Sequence, residues 1–277
     1  SFPYLARIIL RYAATGHLPP PEQGIPFGGG ILMPPAFAQS IAYAFRTGWL
    51  YLMFIINRHV LHRYRRWGVA FVPAPWSSAI LRKGVQIKNP PGRYFADPFV
   101  ATRNNRTVCF VEDYSFGQKK GRITAVEILG RSGYEVLGPV IEESFHMSFP
   151  YLFEYRQELY MIPETRKSNS IRLYRCVEFP LKWEFQKEIM GDVRASDPML
   201  FEHNDKWWLL TNIASRGNED YNSQLMAFYG TDPFTDEWIA HDQNPLAFDS
   251  AIGRNGGLLT VEGGLPIRAR QKQGFDT

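Results

Sequence analysis

From Trp67 onward the chain is written in short apolar runs separated by polar turns, the pattern of many brief strands. The runs recur in a fixed order. Phe95-Ala-Asp97-Pro98-Phe-Val leads into Thr107-Val-Cys-Phe-Val-Glu112. Ser148-Phe-Pro150-Tyr-Leu-Phe leads into Glu158-Leu-Tyr-Met-Ile-Pro-Glu164. Ser196-Asp197-Pro198-Met-Leu-Phe leads into Lys206-Trp-Trp-Leu-Leu-Thr-Asn212. A weaker fourth copy, Arg254-Asn-Gly-Gly257-Leu-Leu, leads into Gly264-Leu-Pro-Ile-Arg268. A repeat of roughly 50 residues suits a propeller blade, a small sheet that buries its faces only by stacking on its neighbours. Proline cannot donate to a ladder, so it belongs at the start of a strand. The polar residue before it then stands at the strand entrance, and the innermost strands of a propeller line its central channel.

Residues 171–177 and 224–229 read as third strands, and Trp183 and Trp238 as outer-strand residues. Polar loops are expected at 117–121, 166–170 and 215–222. The stretch before Trp67 is different. Residues 1–15 place Leu5, Ile8, Ile9, Tyr12 and Ala13 on one helical face, 16–36 form a Pro/Gly-rich linker, and 37–66 are a second helix candidate. Its apolar run, Trp49 to Ile56, is shorter than the ~20 residues that span a bilayer. The following Arg58-His-Val-Leu-His-Arg-Tyr-Arg-Arg66 suits a helix packed on a neighbouring domain, or one lying at a membrane surface with arginines at the headgroups. No nucleic-acid-binding module is recognisable. The expected plan is an all-β, five-bladed β-propeller over 67–277, incompletely contained in the chain, with a helical basic extension over 1–66. Both ends read as cut from a longer polypeptide fused to another domain.

Charge sharpens that division. The 277 residues carry a net +4, but residues 1–93 hold 11 Lys/Arg against one acid, Glu22, and residues 94–277 hold 20 against 26. A basic arm precedes an acidic domain. The two cysteines, Cys109 and Cys176, fall inside apolar strands and are expected as buried free thiols.

Zinc-ligand spacing, a phosphate-binding glycine loop, a dinucleotide fingerprint and a nucleophile elbow are all missing, so neither metal nor cofactor is expected. Carboxylates at repeat-equivalent entrances stand out: Asp97, Glu164 and Asp197. Cleaving or forming a glycosidic bond needs two carboxyl groups across the sugar, one protonated and one ionised, and a third can tune the acid by like-charge repulsion. Against this, an Asp before Pro can cap a turn, and Glu164 can pair with Arg166. Glu112 and Asp113 end the second strand of the first repeat, and Glu112 is a substrate-binding candidate. Arg254 is another, by bidentate contact with a substrate, unless it pairs with Asp249. Trp207 and Trp208 alternate faces, so Trp208 is a candidate sugar platform, with core packing as the alternative. His146, His203 and His241 stand alone, as hydrogen-bonded structural histidines do; His146, beside the second repeat, is also a binding candidate.

These motifs, with Asn244-Pro, Asp249, Gly253-Arg254-Asn-Gly-Gly and Arg270-Gln271, resemble the propeller domain of glucosamine inositolphosphorylceramide transferases and their bacterial relatives over about 67–277. The plan is also similar to the five-bladed clan of arabinanases, xylosidases and invertases. That resemblance implies Asp97 as base or nucleophile, by its Ala-Asp-Pro context, and Asp197 as the residue that tunes the acid. In that clan the acid follows the second Asp, whereas Glu164 precedes it and Glu262 follows it in a Gly-rich turn; Glu164 is the expected acid. The expected function is glycosyl transfer or glycoside hydrolysis on a carbohydrate or glycolipid, in envelope-polysaccharide or glycolipid metabolism. The alternative is a non-catalytic glycan-binding propeller that presents substrate to a fused transferase. The expected location is cytoplasmic, with membrane association through residues 37–66 as a further expectation.

Overall fold

A computed structural model describes residues 2–18, 34–60, 66–214, 220–259 and 266–272. The chain divides into two compact units, residues 8–66 and residues 1–7 with 67–277. Helix α1 (Phe2–Thr15) has its apolar positions on one side. Helix α2 (Phe37–Ile55) leaves Phe37, Ile41, Phe45, Trp49 and Phe54 exposed and buries no residue. A single π-turn, Ile56–Val60, follows it. No helix among the described residues is long and apolar enough to cross a membrane.

The second unit is built of antiparallel sheets in chain order. A short pair, β1 (Val69–Phe71) and β2 (Val85–Ile87), comes first. Sheet I runs β3 (Arg93–Arg103), β4 (Arg106–Ser115), β5 (Lys120–Leu129), β6 (Gly133–Ile141). Sheet II repeats the plan with β7 (Ser148–Tyr155), β8 (Glu158–Glu164), β9 (Ile171–Glu178), β10 (Lys182–Met190). Sheet III has β11 (Ala195–His203), β12 (Lys206–Ile213) and β13 (Gln224–Gly230), with β14 (Ile239–Ala240) and β15 (Ala247–Phe248) both paired to β13. A final hairpin joins β16 (Arg254–Leu259) to β17 (Ile267–Gln271). Three full blades and the opening hairpin of a fourth are therefore present among the described residues, in up-and-down order. Trp183 lies in the outer strand β10, and Trp238 immediately precedes β14.

The two-residue period explains the stacking. Along β4, Cys109 and Val111 face one way and pack with Val69, Ile87 and Phe95, while Val108 and Phe110 face the other and pack with Met147, just before sheet II, and with Met161 and Tyr174 of that sheet. Along β8, Met161 joins that layer, and Tyr160 and Ile162 join the next one, with Met199, Leu200, Trp207 and Leu209 of sheet III. Each sheet is apolar on both faces because each face meets a neighbour. Cys109 is buried and Cys176 only partly so; both are free thiols.

The first hairpin of each full blade turns on two residues, both with positive φ: Asn104-Asn105, Arg156-Gln157 and Asn204-Asp205. Such turns match the right-handed twist of the strands, and Asn and Asp tolerate the left-handed region. Arg156 and Gln157 do not. Replacing them with Asn-Gly should stabilise the native state by about 1 kcal/mol, read as a higher urea midpoint with an unchanged slope.

Candidate functional site

The repeated phrase forms the same backbone device in each blade. The β3–β4 pairing is regular up to Ala96 opposite Glu112 and resumes at Phe99 opposite Phe110, so Asp97-Pro98 bulges out. Ser148 opposite Glu164 and Ser196 opposite Asn212 precede the same slip at Phe149-Pro150 and Asp197-Pro198. Asp97, Phe149 and Asp197 have φ of 47°, 47° and 48°, a conformation few side chains adopt. In β16 the shift leaves Gly256 unpaired, and the positive φ, 122°, falls on the next residue, Gly257, which has no Cβ to resist it. Facing each bulge across the first hairpin stands Glu112, Glu164 or Asn212. The Pro pattern locates the bulged residue; only the register shows that Glu112 and Glu164 are equivalents.

These bulges surround a cavity of about 680 Å³ at the hub, lined among others by Asp97, Glu112, Glu164, His146, Arg166 and Arg254. The volume is that of an ordinary small-molecule site. Of the sequence-predicted residues, Asp97, Glu164, Glu112, His146 and Arg254 meet in it. Asp197 does not line it. It is completely buried behind Arg254, Glu164 and Ser196, which do. Trp208 stays away: its indole N–H donates to the His203 carbonyl at 3.1 Å, and its ring packs beside Tyr229 and His241. Trp207 is core, so neither member of that pair is the hub platform. Asp113 is structural as well. It accepts from Arg93 at 2.6 Å, Arg122 at 3.0 Å and Thr124 at 3.0 Å. The aromatic wall comes instead from Trp67, Tyr94 and Tyr114, residues that carry no repeat signature; Tyr94 and Tyr114 stack at 5.0 Å. Glu262 lies outside the described residues.

Electrostatics organise the floor. Arg254 donates from Nε and a terminal nitrogen to the two oxygens of Asp197, at 2.6 and 2.7 Å, and not to Asp249, whose carboxylate caps Ala251. Planar fork and carboxylate match, which makes this the strong bidentate class of pair. Gln271 reaches the same carboxylate at 3.4 Å, and Glu164 Oε2 accepts the Asp197 backbone N–H at 3.2 Å. Glu164 Oε1 also lies 3.7 Å from Arg166 Nε, so the alternative sequence expectation for Glu164 is met loosely. Burial lifts the Asp197 carboxyl above its ordinary range; Arg254 opposes that lift and Glu164 adds to it. Burial and then the Asp197 charge push Asp97 up to about 6, against Arg254 and the Phe149 amide. His146 accepts the Gly121 N–H on Nδ1 at 2.8 Å, and burial, with Arg166 and Lys167, pushes it down to about 4, so the neutral ring carries its proton on Nε2. No cluster of His, Cys, Asp and Glu able to hold a metal occurs among the described residues.

Fold and site together define a β-propeller whose hub gathers carboxyl groups from separate blades around Arg254. Residues 74–275 match the family described as glucosamine inositolphosphorylceramide transferase 1, N-terminal, and the chain belongs to that family. It is 34% identical over 179 residues to glucosamine inositolphosphorylceramide transferase 1 of Oryza sativa subsp. japonica, covering 63% of this chain and 24% of that one. With the Arabidopsis thaliana protein of the same name it shares 32% over 187 residues, covering 66% and 24%. The chain thus spans about a quarter of the length of these relatives. Among solved structures, a GH43 β-1,3-galactosidase superposes with a TM-score of 0.52 at 15% identity, over 65% of this chain and 41% of that one. That likeness is one of fold.

Removing one partner of a buried pair strands the other charge. Arg254→Met should cost about 3 kcal/mol in chemical denaturation, with the far-UV spectrum unchanged. Asp97 behaves oppositely. Its folded value of about 6 exceeds the ordinary 3.8, so the native state holds the proton more tightly. Its favourable contribution is complete below pH 4 and is lost as pH rises towards 6. Asp97→Asn should therefore raise the melting temperature at pH 7, by the equivalent of about 1–3 kcal/mol, and lose that advantage near pH 4.

Proposed function

We propose that the hub is a carbohydrate-active site at which a glycosidic bond is made or broken. The observation that supports this most directly is the meeting of Asp97, Glu112 and Glu164, from two blades, in one open cavity, with Asp197 of a third sealed directly beneath. Asp97 is the base or nucleophile: it lies on the cavity wall, and its value of about 6 leaves it ionised at neutral pH yet able to accept a proton. Asp197 is the modulator. It is too buried to touch a sugar and acts through Glu164 and Arg254. The acid belongs to the facing pair Glu112 and Glu164, where the sequence alone points to Glu164.

Trp67, Tyr94 and Tyr114 supply an apolar wall of the kind on which a pyranose face stacks. Arg254 keeps its fork on Asp197 and presents positive charge to the cavity, suiting an anionic or hydroxyl-rich ligand. The relatives' name, a transferase of glucosamine and inositolphosphorylceramide, supports glycosyl transfer in glycolipid or envelope-polysaccharide metabolism over simple hydrolysis.

Incubation with panels of nucleotide sugars and glycolipid acceptors, and of aryl glycosides, tests the reading. Turnover is expected, with kcat/KM lowered about 10²–10⁴-fold in Asp97→Asn. Full activity in a folded Asp97→Asn variant would remove the assignment. Saturable glycan binding with no turnover would make the hub a presenting module instead.

A further inference from the structure

The site holds four carboxyl groups and needs one of them protonated. We infer that Glu112, rather than Glu164, is the hub's proton holder and the group that protonates the departing glycosidic oxygen, an assignment that rests on the glycosidic reading above.

The partners of each carboxyl separate them. Asp197 has both oxygens on Arg254, with Gln271 alongside. Asp97 has the Phe149 backbone amide and the nearby Arg254 charge. Glu164 accepts a backbone N–H and lies near Arg166. Glu112 is buried to 6% exposure, and among the described residues no Lys or Arg pairs with it. Its nearest charge partner is His146, with Nε2 at 3.8 Å from Oε1, beyond hydrogen-bond reach. That histidine is neutral, because its Nδ1 is used as an acceptor by Gly121. The groups whose charge or bulk bears on Glu112 are Asp97 on β3, Glu164 on β8, Asp197 on β11, His146 and Tyr94 on β3, with Asp113 next to it on β4 but turned to the other face. Of these acids, Asp97 and Glu164 repel an ionised Glu112 most, and Asp197 and Asp113, held by arginines, repel it less. Burial, then Asp97, Glu164, Asp197 and Asp113, hold its carboxyl well above the ordinary glutamate range.

The location is built to exclude a counter-charge. A Cβ added at Gly121 would collide with the Met147 carbonyl oxygen and would sit 2.9 Å from His146 Cε1 and 3.0 Å from Glu112 Oε1. Only glycine lets that strand close on both side chains. Gly121 and the neutral His146 ring thus fill the space beside Glu112 with uncharged groups.

In the reaction, the bond between the anomeric carbon and the leaving oxygen breaks with its electron pair on oxygen. The Glu112 proton moves to that oxygen and leaves Glu112 as carboxylate. The incoming hydroxyl, from water or from an acceptor sugar, bonds to the anomeric carbon and gives its proton to Asp97. Solvent in the open cavity returns one proton to Glu112 and removes one from Asp97, so no other reactant is needed.

Infrared spectroscopy of the whole chain at pH 7 tests this, by the carbonyl stretch of a protonated carboxyl. The band is expected in the parent protein, in Asp97→Asn and in Glu164→Gln, and absent from Glu112→Gln; Glu112→Asp should keep it at a shifted frequency. With aryl glycosides, Glu112→Gln should lose about 10²–10⁴-fold on poor leaving groups and almost nothing on dinitrophenyl glycosides. A band that survives in Glu112→Gln, or that vanishes in Glu164→Gln, or that is missing from the parent, overturns the assignment. Silence of the parent on every panel compound would sink the glycosidic reading instead, and the infrared band would still decide which carboxyl keeps the proton.

Discussion

A single buried ion pair locks the hub. Asp197 hangs from the bulge of the third sheet and Arg254 opens the fourth hairpin, and their two short hydrogen bonds join the sheets where strand pairing cannot. Asn255 adds to the lock by donating to the Asp197 and Leu210 carbonyls, at 2.8 and 3.1 Å. Taking an aspartate wholly out of water costs several kcal/mol, and only a matched fork with its remaining lone pairs occupied offsets that. The pair therefore contributes geometry more than net stability. It fixes where Arg254 points, and through the Asp197 backbone N–H it fixes one oxygen of Glu164.

The bulge is one backbone solution used for different ends. At the bulged position the three full blades carry Asp, Phe and Asp; across the hairpin they carry Glu, Glu and Asn. Phe149 adopts the same positive φ as the two aspartates, yet packs edge-on against Phe99 at 4.8 Å. Asn212 ties Gln224 and Gly253 together through its amide. A symmetric scaffold thus becomes an asymmetric site: two blades supply the accessible acids, and the third supplies a buried one and a brace. The strain of a positive φ is tolerated because stacked sheets on both sides leave the strand no alternative path.

Charge distribution follows the same economy. Asp113 and Asp197 are paired with arginines, whereas no Lys or Arg among the described residues pairs with Asp97 or Glu112, and burial beside other acids raises both. Carboxyl groups left without a counter-charge cost folding free energy, and here that cost is concentrated at one concave spot.

The strand order, the stacking period and the entrance aspartates were legible in the sequence, because a blade buried on both faces leaves apolar runs and a bulge leaves its proline. Asp97, Glu164, Glu112, His146 and Arg254 could be listed as candidates from those marks. Their division of labour could not. That Asp197 is sealed below the cavity, that Arg254 pairs with it rather than with Asp249, that Trp208 packs outward and that Trp67, Tyr94 and Tyr114 form the wall all depend on which sheets meet. Those contacts lie between residues far apart in sequence, and only the closure of blade upon blade sets the distances and the dryness on which their chemistry depends.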